Sequence, residues 1–151
     1  MIILIILMVM ALLIMFKDKG TYFPFLVREQ SGQKKEMDRT KLLGNVDDLV
    51  SFSTWPGEKV HGLVSYHGVI KGAYFFEANI VINILDANKK LLKGSNAMAT
   101  GEWMTSGPVS FEGKIDFTAL PKGPAYFEIH NDNPSDMREN DKSVLIPIVI
   151  E

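Results

Sequence analysis

An all-β sandwich of about seven short strands is the fold this sequence predicts, and three observations predict it. From Leu49 onward, apolar and polar residues alternate with a period of two over several stretches. Turn-forming pairs such as Pro56-Gly57 and Asn133-Pro134 cut those stretches into short pieces at sandwich-like spacing. No part of the same region repeats its apolar residues at a helical interval.

The chain starts differently. Residues 1–16, MIILIILMVMALLIMF, form an uncharged apolar run that Lys17-Asp18-Lys19 ends sharply. As a helix the run would span roughly 24 Å, against roughly 30 Å for the hydrocarbon core of a bilayer. A single-pass transmembrane anchor is the expectation. A signal-like segment removed on export is the alternative, although neither a basic start nor a small-residue cleavage site is visible. Residues 17–48 mix seven basic with six acidic side chains and scattered glycines, which reads as a juxtamembrane tether. Its one apolar patch, Tyr22–Val27, suits a membrane interface. Residues 49–151 are then the folded domain.

Within that domain, Val109, Phe111, Gly113, Ile115 and Phe117 alternate with Ser110, Glu112, Lys114 and Asp116, a strand with one wet face. Val144, Ile146, Ile148 and Ile150 form another apolar face, and Pro147 opposite them points to a sheet edge. A longer run places Tyr74, Phe76, Ala78, Ile80, Ile82 and Ile84 on one face. The turn Asp86–Lys90 leads from it into a strand over Leu91–Ala99. Further strands are expected over Leu49–Ser53, Leu63–Ile70 and Ala125–His130.

Composition narrows the function. With 46% hydrophobic and 23% charged residues the chain is globular, and its net charge of −2 gives no basic surface for nucleic acid. The absence of cysteine excludes disulfides, thiolate metal sites, a thiol nucleophile and a lipidated cysteine anchor.

Five segments in order carry a resemblance: Phe75-Phe76-Glu77-Ala78, Gly101-Glu102-Trp103-Met104-Thr105, Asn131-Asp132-Asn133-Pro134-Ser135, Glu139-Asn140-Asp141 and Ile146-Pro147-Ile148. Together they resemble the bacterial spore-germination immunoglobulin-like domain over about residues 49–151. The resemblance implies an immunoglobulin-like β-sandwich displayed outside the cytoplasmic membrane. That implied location outweighs Lys17 and Lys19, which by the positive-inside rule would leave the domain in the cytoplasm. No catalytic or ligand residue comes with the resemblance. The sequence departs from the pattern at Asn88-Lys89-Lys90 and at Asp136, where relatives carry glycine.

Ser65 and His67 share a strand face, with His61 nearby, but no carboxylate is placed to orient an imidazole. Asn131, Asp132, Asn133, Asp136, Glu139 and Asp141 crowd one loop with oxygen ligands, yet their spacing does not fit a calcium-binding loop and suits self-capped turns. No metal or other cofactor is expected. Glu77 follows two phenylalanines, and the expectation is that its carboxylate ties down the Asn131–Ser135 loop through backbone N–H groups. Phe75, Phe76, Glu77, Asn131, Asp132, Asn133 and Pro134 thus form a structural motif. Trp55 and Trp103, beside turns, are the candidate binding surface. The expected function is a non-catalytic, membrane-anchored recognition or scaffold module of the bacterial cell envelope, its partner an envelope protein or a cell-wall polymer. A hydrolase acting on that polymer, or a spacer without a ligand, are the alternatives.

Overall fold

The computed structural model describes residues 37–135 and 137–151, which contain nine strands. They are β1 (Leu43–Gly44), β2 (Leu49–Phe52), β3 (Glu58–Val60), β4 (Leu63–Lys71), β5 (Asn79–Asp86), β6 (Leu91–Ala99), β7 (Pro108–Asp116), β8 (Gly123–His130) and β9 (Ser143–Ile150). The anchor expected over 1–16, the tether as far as residue 36, and Asp136 lie outside the described residues. Among the described residues no helix is long and apolar enough to cross a membrane.

The strands join in the order β1-β9-β8-β5-β6-β7-β4-β2, with β3 pairing to β9 off this path. Every pairing is antiparallel except β3 with β9. In this order β2 and β8 are five steps apart. Nevertheless the rings of Phe52 on β2 and Phe127 on β8 lie 4.9 Å apart, edge to face. The sheet must therefore curl until its two ends face each other, which is the all-β, sandwich-like architecture expected.

Strand β6 makes the curl. It pairs with β5 along Leu91–Met98, but with β7 only at Met98 and Ala99. The rest of β6 and β7 splay apart, and the Lys93 ammonium reaches across to the Asp116 carbonyl at 2.6 Å.

The alternation in β7 is realised: Val109, Phe111, Ile115 and Phe117 are buried, and Ser110, Glu112, Lys114 and Asp116 are exposed. Inside, Phe52, Tyr66, Phe111 and Phe127 form an aromatic cluster. Gly113 makes room for it, since a Cβ there would stand 2.4 Å from the Tyr66 hydroxyl oxygen.

Three expectations are corrected. There are nine strands, not about seven: β1 and β3 are two and three residues long, too short for alternation to register. Residues 37–48, placed in the tether, are part of the folded body. Leu42 is buried, β1 pairs with β9, and the Arg39 guanidinium donates to the Leu49 and Val50 carbonyls at 2.8 and 3.3 Å along the outer edge of β2. Capping edge carbonyls with a charged side chain protects a sheet edge from further pairing.

The third correction concerns residues 74–78. The strand starts only at Asn79, because Gly72–Tyr74 forms a 3-10 turn and Glu77 and Ala78 adopt φ of 48° and 64°. This reversal puts both Tyr74 and Phe75 inside and leaves Phe76 40% exposed. Pro147 falls where β9 lacks a partner on its outer side, between Val144–Leu145, paired with β1, and Ile148–Ile150, paired with β3. Its carbonyl accepts from Gly57 N–H at 2.7 Å on that side, so its missing N–H interrupts no bond to β8.

Candidate functional site

The segment between β8 and β9 is fastened by its own asparagines. Asn131 is 6% exposed; its amide oxygen accepts Lys142 N–H at 2.7 Å, and its amide nitrogen donates to the Asn140 carbonyl at 3.0 Å. Asn133 donates to the Met137 carbonyl at 2.9 Å and to Asp141 Oδ1 at 2.8 Å, while its own oxygen accepts from Ser135 N–H and Oγ–H. Asparagine suits this role because one side chain carries both a donor and an acceptor.

The predicted bond from Glu77 to this loop is not formed. Glu77 is exposed in its tight turn, and the contact is made instead by Asp132 N–H, which donates to the Tyr74 carbonyl at 3.1 Å. The motif segments do meet, through backbone rather than through the carboxylate. Tyr74 is itself fully buried with its hydroxyl 3.4 Å from Asp48 Oδ2. Burial, reinforced by the negative charge of Asp48, pushes that hydroxyl far above its ordinary value.

Beside the fastened loop, the outer face of the sheet opens into a groove of about 350 Å³, lined by Val81, Asn83, His130, Asn131, Asn133, Arg138 and Asp141. Register explains its floor: Val81 pairs with His130 and Asn83 with Glu128 across β5 and β8, so these side chains share one face. Asn83 Nδ2 donates to Glu128 Oε2 at 2.8 Å. His130 Nδ1 lies 2.7 Å from the Asn131 carbonyl, which can only accept, so Nδ1 carries the proton.

The sequence-derived candidates are spread over the fold. Trp55 is half-buried in the β2–β3 connection, where its N–H donates to Glu58 Oε2 at 2.6 Å and its carbonyl accepts Glu58 N–H at 2.9 Å. Trp103 lies in the β6–β7 connection, partly buried against the core. The two tryptophans thus belong to separate connections. Phe75 is buried, and Asp132 and Asn133 are half-buried while Pro134 is exposed. Ser65 and His67 face solvent on β4, opposite Lys114 and Glu112 on β7. The described residues include no cluster of three or more His, Asp or Glu placed to hold a metal.

Sequence reading did not single out Val81, Asn83, His130 or Arg138. The available signal was the second face of the 79–85 run, where Asn79 and Asn83 flank Val81 and break an otherwise apolar stretch. What that face meets depends on pairing β5 with β8, a contact about fifty residues apart in the chain.

A family model described as the immunoglobulin-like domain of bacterial spore germination matches residues 52–138. No curated protein and no solved structure matches the chain.

Proposed function

Since the chain belongs to the family of immunoglobulin-like domains of bacterial spore germination, we propose that it is a non-catalytic recognition or scaffold module of the cell envelope. In this reading residues 1–16 hold it at the membrane as a single pass. The domain faces outward, and its partner is an envelope protein or a cell-wall polymer.

The groove beside the β8–β9 loop is the observation that carries the reading. Its polar side chains are held in place by hydrogen bonds to the loop and the sheet, as a preorganised binding surface requires. A hydrolase would instead need a nucleophile held against a base. Ser65 and His67 stand on the wet face of β4 with no hydrogen bond between their side chains.

Two measurements test the proposal. Protease added to spheroplasts should cleave the domain without lysis, and the full chain in detergent should pellet with purified insoluble cell wall. Complete protection until lysis would overturn the outward placement. A chain that neither pellets with wall nor crosslinks to a specific envelope protein would leave the spacer reading in its place.

A further inference from the structure

We infer that the groove between the outer face of β5–β8 and the β8–β9 loop binds a neutral, polyhydroxylated ligand: a sugar chain carrying vicinal hydroxyls. The inference rests on the recognition reading above and follows from counting which polar atoms remain available among the described residues.

Every amide nitrogen in the groove already has a partner, although only that of Asn133 uses both of its N–H groups. Asn83 Nδ2 is bonded to Glu128, Asn131 Nδ2 to the Asn140 carbonyl, and Asn133 Nδ2 to the Met137 carbonyl and Asp141. Acceptors are left on Asn83 Oδ1 and the second oxygen of Asp141, and His130 Nε2 also has no partner among the described residues. Donors come from the exposed guanidinium of Arg138, which makes no ion pair with a described residue, and from the second N–H of the Asn83 and Asn131 amides.

This combination discriminates by chemistry. A carboxylate or phosphate brings acceptors only, which suits Arg138 but sets negative oxygens against the Asn83 and Asp141 oxygens. A simple cation suits the acceptors but is repelled by the guanidinium. A hydroxyl both donates and accepts, so adjacent hydroxyls satisfy the acceptors and Arg138 together. Val81 supplies an apolar patch against which the C–H face of a sugar ring can lie.

The test titrates the full chain in detergent with a short neutral oligosaccharide of N-acetylhexosamine, with its deacetylated, cationic form, and with an oligomer of uronic acid. The neutral ligand should bind at about 1 mM or tighter. Arg138→Ala and the groove-filling Val81→Arg should each weaken it by about tenfold or more, with melting midpoints unchanged. Strongest binding by the uronic acid oligomer, lost only in Arg138→Ala, would make this an anion site and overturn the inference. So would preference for the cationic form, or no neutral binding at that concentration. If both variants still pellet with cell wall as the parent chain does, the recognition reading stands and the groove is not its site. If the parent chain does not pellet either, both fail.

Discussion

Phe76 and Asn79 exchange both of their backbone hydrogen bonds, at 3.0 and 2.9 Å, around Glu77 and Ala78. A two-residue turn with positive φ at both central positions normally carries Asn-Gly, because a Cβ there crowds the following carbonyl. Here the two residues stand at φ 48° and 64° without that relief. Replacing them by Glu77→Asn with Ala78→Gly is expected to raise the unfolding free energy by about 1–2 kcal/mol, read from urea titration. A midpoint that stays or falls would show that neighbouring contacts favour the native pair.

Lys89 repeats the situation. It adopts φ 63° at the β5–β6 turn, where Asp86 Oδ1 accepts from Asn88 N–H and Lys90 N–H. Lys89→Gly should stabilise by about 1 kcal/mol, whereas Lys90→Gly, the neighbouring control, should not.

The β8–β9 loop depends on Asn131 more than on its acidic neighbours. Truncating this buried side chain leaves Lys142 N–H and the Asn140 carbonyl without their partner. Asn131→Ala should therefore cost about 2 kcal/mol, whereas Asp132→Ala, whose backbone alone makes the contact to Tyr74, should change stability by about 0.5 kcal/mol or less. Equal effects at the two positions would mean that the loop is held by something other than this side chain.

Regular strands were legible in the sequence because alternation in β7 and β9 directly reports which side chains are buried. Glu77-Ala78 was not, since nothing in a Phe-Glu-Ala segment announces a left-handed turn, and an unbroken strand was the natural reading. β1 and β3 were hidden for another reason: their pairing is specified by β9, about 100 residues away for β1 and 90 for β3. The groove failed to show for the same cause. Asn83, His130 and Arg138 are unremarkable until β5 pairs with β8 and the loop folds over them.

Residues 37–48 belong to the folded body, and truncation measures how much they contribute. A chain beginning at 49 loses the buried Leu42 and uncovers the Leu49 and Val50 carbonyls that Arg39 caps. Compared with residues 37–151, it should be less stable by about 2–3 kcal/mol from the leucine alone. Matched melting midpoints would place the functional boundary of the fold at 49 after all.

Alkaline pH reads the two buried tyrosines. Burial pushes the Tyr66 hydroxyl up to about 12 and raises Tyr74 as well, with help from Asp48. A folded value above the unfolded one, near 10, means that the unfolded chain releases its protons first. The stability held by the neutral hydroxyls is therefore intact below about pH 10 and falls as pH rises toward about 12. Tyr66→Phe and Tyr74→Phe should each make that fall shallower, but they should part company at neutral pH. The Ser95 side chain lies near Tyr66 Oη, but no hydrogen bond of acceptable geometry joins that oxygen to it or to any other described residue, so removing this buried hydroxyl should stabilise by about 1 kcal/mol. Tyr74 Oη donates to Asp48 at 3.4 Å, and its loss leaves that half-buried carboxylate with Lys71 alone as a side-chain partner among the described residues, so Tyr74→Phe should destabilise. Urea titrations of the three chains at pH 7 and pH 11 measure both effects. If Tyr66→Phe weakens the protein at pH 7, its hydroxyl has a partner after all, and the interior of the curled sheet is more polar than these residues indicate.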